Sequence, residues 1–94
     1  MNEALIFDHL RTPRGRGKRD GSLHDVTALA LAQGVLKALA HRNGVERVAL
    51  DDVILGCVDP VGEAGGDIAR AAALASGLGT TVPGIQINRF CASG

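Results

Sequence analysis

Val53-Ile-Leu-Gly-Cys-Val58 is a short, near-continuous apolar run that contains β-branched residues. Such a run is typical of a strand buried on both faces, which is the environment of a parallel sheet. Asp67 stands where an N-cap would begin a helix from Ile68 to Ser76, and Gly77 is placed to end it. The apolar run from Val82 to Asn88 predicts another strand. This order of strand, helix and strand predicts parallel neighbours, because a parallel pair needs a crossover connection.

The same pattern extends toward the N-terminus. The run from Ala4 to Asp8 is long enough for a buried strand, and a helical period begins near Val26. Asp25 or Thr27 is placed to cap this helix, and Asn43-Gly44 to end it. Its apolar face is formed by residues at helical spacing, Leu29, Ala32, Leu36 and Leu39. We therefore expect an α/β fold of order β-α-β-α-β, an incomplete layered domain with a mostly parallel sheet.

The composition is that of a small aliphatic protein with balanced charge. The 94 residues carry ten Lys and Arg against ten Asp and Glu, so no global field selects nucleic acid or an anionic membrane. Hydrophobic residues make up 46%, which excludes a disordered chain. With two Phe and no Trp or Tyr, the core must be built from aliphatic side chains, which suits helices packed closely on a sheet within something larger.

Several kinds of partner are disfavoured by the sequence. No apolar run approaches the ~20 residues that span a bilayer, and the N-terminus lacks the basic segment of a secretory signal. The run from Arg11 to Arg19 has no interleaved aromatic residues, so we interpret it as a solvated loop and not as a nucleic-acid arm. No cysteine and histidine spacing suggests a metal site or a disulfide framework. We expect a cytoplasmic protein without metal, nucleic acid or membrane partners.

Cys91 is the candidate catalytic residue. It follows the last predicted strand, where a helix would begin, and the small residues Ala92 and Gly94 leave room for a substrate to approach. A helix N-terminus favours the thiolate over the thiol. From position alone, a nucleophile and an ordinary buried thiol are both possible interpretations.

The other candidates have structural interpretations. Cys57 lies in the second predicted strand and is expected to be a small buried hydrophobe. The loop from Gly62 to Gly66 is not a GxGxxG motif and follows the second strand, so we interpret it as a tight loop and not as a phosphate site. The histidines are also expected to be structural: His9, His24 and His41.

Asn88-Arg-Phe-Cys-Ala-Ser-Gly94 resembles the Asn-x-x-Cys-x-Ser-Gly signature around the acyl-accepting cysteine of thiolases. Other motifs are similar in order and spacing to thiolase N-termini: Arg11-Thr-Pro-Arg-Gly-Arg-Gly17, Gly21-Ser-Leu23, Asp52-Val-Ile-Leu-Gly-Cys57 and the segment from Gly62 to Leu74. The similarity covers essentially the whole chain. Residues 1–94 therefore resemble a partial thiolase N-terminal domain that ends just after the nucleophile motif.

The resemblance implies an acetyl-CoA C-acyltransferase of fatty acid metabolism. In such an enzyme Cys91 would take up the acyl group as a thioester, and its backbone N–H would help to form an oxyanion hole. Coenzyme A thioesters would be the substrates, and no cofactor is implied. The second cysteine and the activating histidine of the family lie further along its chain, so the 94 residues alone are expected to be inactive. The strand from Val82 to Asn88 would pair with its twin in a homodimer or homotetramer.

Two alternatives accompany this interpretation. A ketoacyl synthase-like condensing enzyme also carries a cysteine at a helix start, and a second catalytic cysteine downstream would distinguish a thiolase from it. A non-catalytic module would instead bind a full-length subunit through its edge strand.

Overall fold

The computed structural model describes residues 2–45 and 49–94. Within them the chain forms helix α1 (Ala28–Asn43), strand β1 (Val53–Gly56), helix α2 (Ile68–Ala75) and strand β2 (Gly84–Ile87). The two strands pair in parallel, with Ile54 opposite Ile85. Helix α2 is the crossover connection, and it packs on both strands and on α1. The expected α/β class with a parallel sheet is confirmed.

Helix α1 begins and ends at residues that satisfy its free backbone groups. The Oγ1 atom of Thr27 accepts a hydrogen bond from the Ala30 N–H at 3.0 Å, so Thr27 and not Asp25 is the N-cap. Gly44 ends the helix in the left-handed conformation at φ 60° and donates its N–H to the Ala40 carbonyl. The sequence predicted the C-terminal glycine and left the choice of N-cap open.

The core is small because it is made of alanines at the contact between α2 and the sheet. Ala69, Ala72 and Ala73 have no exposed surface, and they are buried together with Ile68 and Val82. These short side chains allow the helix backbone to lie directly against the strand. With only two Phe and no Trp or Tyr in the sequence, the contact between α2 and the sheet is built from small side chains and a close approach of the two backbones.

Gly84 of β2 marks the closest point of that approach. A Cβ atom at this position would lie 2.4 Å from the backbone nitrogen of Arg70 and 2.7 Å from the carbonyl carbon of Ala69. Both obstacles are backbone atoms of α2, which cannot move without displacing the helix. A glycine is therefore required here.

We expect Gly84→Ala to lower the free energy of unfolding by about 2–3 kcal/mol, the upper part of the range for overpacking. Gly34→Ala is the matched control, because the same methyl group in α1 would meet nothing within 4 Å. Removing a helix-interior glycine should raise stability by about 0.5–1 kcal/mol. Chemical denaturation of both variants measures the two changes, and an unshifted midpoint for Gly84→Ala would contradict the described packing.

Polar side chains fasten α2 to β2 beside this contact. The Arg70 guanidinium donates to the carbonyl of Thr80 at 2.8 Å and to that of Val82, and the Ile68 N–H donates to Oε1 of Gln86 at 3.1 Å. Asp67 caps α2 by accepting from the Arg70 N–H at 3.4 Å, as its position predicted. These bonds fix where β2, and with it the following segment, lies relative to the helix.

The face of the sheet opposite α2 is open in the described part of the chain. Ile54 of β1 is 64% exposed, and its neighbours Ile85 and Ile87 in β2 are also exposed. Parallel sheets are normally covered on both faces. This apolar surface lies next to the segment that follows β2.

The predicted strand from Ala4 to Asp8 is wrong for the described structure. Residues 4–8 make no ladder hydrogen bonds, and Ile6 is 88% exposed. A strand exists only where a neighbour pairs with it, and β1 is paired with β2 alone among the described residues. The described order is therefore α-β-α-β and not β-α-β-α-β.

Asp8 joins this N-terminal segment to the end of α1. Its carboxylate accepts hydrogen bonds from the Asn43 side chain at 2.8 Å and from the Arg42 guanidinium at 3.0 Å. The Asn43 hydrogen bond is the main cause that lowers the pKa of Asp8, with smaller contributions from the His9 N–H and the Arg42 charge. The N-terminal segment is thus held by polar contacts at one point.

We expect the Asp8 carboxylate to titrate at a lower pH in the folded protein than in the urea-unfolded chain. A carboxyl group with a lowered folded pKa stabilises the fold above its unfolded pKa, and this contribution is lost as the pH falls through the folded value. Carboxyl-carbon NMR titration measures both midpoints. Asn43→Ala should raise the folded midpoint more than Arg42→Ala does, and the reverse order would contradict the assigned cause.

Among the described residues no helix has both the length and the apolar character needed to cross a membrane.

Candidate active site

Cys91 lies in a short turn directly after β2. A 3₁₀ turn, Phe90–Ala92, follows the strand, and Cys91 is exposed to solvent within it. The expected start of an α-helix at Cys91 is not found in the described structure. Three residues align too few peptide dipoles to produce the macrodipole of a helix N-terminus. The geometry of this site therefore comes from the turn itself, which we call the Cys91 turn (residues 88–94).

Asn88 holds the entrance of the Cys91 turn. Its Nδ2 donates to the carbonyl of Val58 at 3.1 Å, across the ends of the two strands. Its Oδ1 accepts from the Phe90 N–H at 2.8 Å. One side chain thereby joins the end of β1, the end of β2 and the residue before Cys91.

Ser93 closes the turn from the other side. Its Oγ accepts from the Arg89 N–H at 2.8 Å and donates to the Phe90 carbonyl at 2.8 Å. The backbone N–H of Ser93 also donates to the Phe90 carbonyl, at 3.1 Å. Arg89, Phe90 and Ser93 therefore form a ring of hydrogen bonds around Cys91.

Cys91 differs from its neighbours in its backbone. The N–H groups of Arg89, Phe90, Ala92 and Ser93 each donate to an atom of the turn. For Cys91, the part of the chain that the structure describes supplies no acceptor for its N–H. A free N–H beside an exposed thiol is an arrangement that can receive an oxyanion.

Phe90 carries backbone strain immediately before the thiol. Its φ is 52°, in the left-handed region, and the residue is 75% exposed. A non-glycine residue in this region costs about 1–3 kcal/mol, and it keeps the conformation only where surrounding contacts offset that cost. An exposed ring contributes little burial that could offset this strain.

Gly56 of β1 makes room for the returning chain. A Cβ atom at Gly56 would lie 1.8 Å from the carbonyl oxygen of Ser93. The Cys91 turn therefore rests on the end of β1 at the one position of that strand that has no side chain. A glycine inside a predicted strand is a known sign of such an approach, and it is the sequence signal that could have found this contact.

Cys57 does not belong to the Cys91 turn. It follows β1, is half-buried where the sequence predicted full burial, and lines a groove of about 530 Å³ beside Leu31 and Ala72 of the helices. Strand β1 ends at Gly56, one residue before Cys57. The Cys57 N–H nevertheless donates to the carbonyl of Ile87, the last residue of β2, at 2.9 Å. Both cysteines are free thiols.

The remaining candidate residues make no hydrogen bond to Cys91 in the described part of the chain. All three histidines are exposed, and none donates to or accepts from Cys91 in residues 2–45 and 49–94. The five cationic side chains between Arg11 and Arg19 are exposed, as a solvated loop requires. Glu63 in the glycine-bearing loop accepts from the Leu29 N–H at 2.7 Å and so supports the start of α1, a contact between residues distant in sequence that local patterns could not predict.

The sequence matches the family model described as thiolase, N-terminal domain, over residues 4–94. The chain belongs to the thiolase family. It is 50% identical over 93 residues to a β-ketoadipyl-CoA thiolase of Pseudomonas aeruginosa, which covers 98% of this chain and 23% of that protein. The Cys91 turn lies inside the matched thiolase region.

Two further thiolases are similar to nearly the whole chain. A 3-oxoadipyl-CoA/3-oxo-5,6-dehydrosuberyl-CoA thiolase of Escherichia coli is 45% identical over 95 residues, covering 100% of this chain and 23% of that protein. A steroid 3-ketoacyl-CoA thiolase of Mycobacterium tuberculosis is 40% identical over 93 residues, covering 99% and 22%. The chain thus spans less than a quarter of the length of the curated thiolases that it matches.

Proposed function

We propose that the protein, in the form of its complete gene product, is an acetyl-CoA C-acyltransferase that cleaves 3-ketoacyl-CoA with coenzyme A. Cys91 is the acyl acceptor. The observation that carries the proposal is the exposed Cys91 thiol beside its own free N–H, on a hydrogen-bonded turn of a chain from the thiolase family. The proposal assigns the proton transfers to none of the described residues.

The proposed reaction has two acyl-transfer steps. The Cys91 thiolate attacks the keto carbon C3, the bond between C2 and C3 breaks, and its electron pair leaves with acetyl-CoA, which takes up a proton at C2. The acyl group remains on Sγ as a thioester. The thiol of a second coenzyme A then attacks that thioester, giving up its proton, and releases the shortened acyl-CoA and free Cys91. We assign to the Cys91 N–H the role of donor to the oxyanion of each tetrahedral intermediate, supported by its lack of an acceptor among the described residues.

The names of the relatives support a proposal for the substrate class. Those named above act, by name, on 3-keto or 3-oxo thioesters of coenzyme A, with dicarboxylic and steroid acyl groups among them. We therefore propose degradation of a 3-ketoacyl-CoA as the direction, and a cytoplasmic location that keeps both thiols reduced. Coenzyme A thioesters serve as substrates without a further cofactor.

A second copy of the chain is the proposed protein partner. Strand β2 pairs with β1 on one side, and in the described residues nothing pairs with its other edge. An open strand edge is a template for association, so the segment of residues 82–88 is proposed as the contact in a homodimer or homotetramer. Sedimentation velocity of the complete gene product tests this. A species that stays monomeric at all concentrations would contradict it.

The activity is tested by incubating the complete gene product with a 3-ketoacyl-CoA and coenzyme A and following both products by chromatography. The expected products are equimolar acetyl-CoA and an acyl-CoA two carbons shorter than the substrate. Without free coenzyme A, each enzyme molecule should cleave at most one substrate molecule, because the acyl group then stays on Cys91. Straight-chain substrates and 3-oxoadipyl-CoA are compared in parallel. No cleavage of any of them would contradict the proposal, and condensation with an acyl carrier protein would favour the synthase-like alternative.

A further inference from the structure

We infer that Asn88 and Ser93 are positioning residues that hold Phe90 in its left-handed conformation and so present the Cys91 thiol together with its free N–H. This inference rests on the proposed function, because it assigns the two residues to the presentation of that nucleophile. Neither side chain supplies the reacting atom.

The two side chains act on the same residue from opposite sides. Asn88 accepts from the Phe90 N–H, and Ser93 donates to the Phe90 carbonyl, so both peptide groups that flank Phe90 are held. Each side chain also has an outer anchor: Nδ2 of Asn88 on the Val58 carbonyl and Oγ of Ser93 on the Arg89 N–H. The turn is therefore tied to the segment just after β1 and closed on itself.

The strain at Phe90 explains why such holding is needed. At φ 52° its backbone is in a region that a residue with a Cβ atom leaves unless it is held. Relaxation to a negative φ would rotate the peptide between Phe90 and Cys91. The Cys91 N–H, which has no acceptor among the described residues, would then point elsewhere.

The variants differ in which of these hydrogen bonds they remove. Ser93→Ala removes both Oγ bonds, whereas Ser93→Thr keeps the hydroxyl. Asn88→Ala removes both amide bonds, whereas Asn88→Asp keeps the acceptor for Phe90 and loses the donor to Val58. Phe90→Gly adopts a positive φ without strain and needs no holding.

The test measures kcat and KM of thiolysis in the complete gene product. Ser93→Ala and Asn88→Ala are each expected to lower kcat by ~10²-fold at little changed KM, because a small misplacement of reacting groups carries a cost of this size. Ser93→Thr should stay near the wild type. Adding Phe90→Gly to either alanine variant should raise kcat again by at least ~10-fold, because glycine adopts the positive φ without the strain that the lost hydrogen bonds offset. Ser76→Ala, which removes a hydroxyl bond to the Ala72 carbonyl in α2, is the matched control.

Amide hydrogen exchange of residues 88–93 provides a readout that does not need activity. If the turn is held as one unit, Ser93→Ala accelerates exchange at Phe90, Ala92 and Ser93 as well as at Arg89, its own partner. This result in a protein without thiolysis would support the positioning of the turn and reject the proposed function. Alanine variants with wild-type kcat and unchanged exchange would overturn the inference, as would a loss that Phe90→Gly does not relieve.

Discussion

Cys91→Ser is expected to lower the thiolysis rate of the complete gene product by ~10³-fold or more, because a serine hydroxyl at neutral pH is a far weaker nucleophile than a cysteine thiolate. The substitution changes one exposed atom, so the fold and the hydrogen bonds of the turn should persist. The loss therefore reports the chemistry of Sγ. Initial rates at saturating substrate measure it.

Cys57→Ser is the matched control for this result. Cys57 is the other free thiol, and it lies just after β1, in a groove between the helices and the sheet. The control should retain the wild-type rate within about threefold, since no reacting atom is placed there. A Cys91→Ser variant that keeps more than a tenth of the activity, or a Cys57→Ser variant that loses it, would show that the wrong cysteine has been assigned.

Gly56→Ala is expected to displace the Cys91 turn without touching Cys91. The added methyl group would lie 1.8 Å from the Ser93 carbonyl oxygen and 2.6 Å from its carbon, so backbone must shift. We expect kcat to fall by ~10²-fold from the displacement of the nucleophile. The free energy of unfolding should fall by about 1–3 kcal/mol from overpacking.

Gly17→Ala provides the comparison for that variant. A methyl group at Gly17 would meet nothing within 4 Å, in the exposed basic loop. Its kcat and denaturation midpoint should therefore match the wild type. If Gly56→Ala turned over substrate at the rate of Gly17→Ala, the contact between β1 and the Cys91 turn would have no functional importance.

Local patterns predicted the elements whose causes are local. The side chain of Thr27, the glycine at position 44 and the carboxylate of Asp67 each satisfy backbone groups within four residues, and all are visible in the sequence. The parallel pair followed from two apolar runs separated by a helical segment. Cys91 was singled out by its place after the second run and by the resemblance of the surrounding motif.

Features that depend on distant neighbours could not be predicted. Residues 4–8 have the composition of a strand, but pairing decides whether a strand forms, and composition does not encode the neighbour. The left-handed conformation of Phe90 could not be predicted, because phenylalanine rarely adopts it. A glycine or asparagine at this position would have indicated it. The motif that contains Asn88 did not reveal its bond to the Val58 carbonyl, because the two residues are 30 positions apart and meet only where the strand ends lie side by side.

The assignment of Cys91 as the acyl acceptor is tested most directly by peptide mass spectrometry of the complete gene product after incubation with acetyl-CoA in the absence of free coenzyme A. We predict one acetyl group, found on the peptide that contains Cys91 and removed when coenzyme A is added. An acetyl group on another residue, or an unmodified Cys91 in protein that cleaves 3-ketoacyl-CoA, would contradict the assignment.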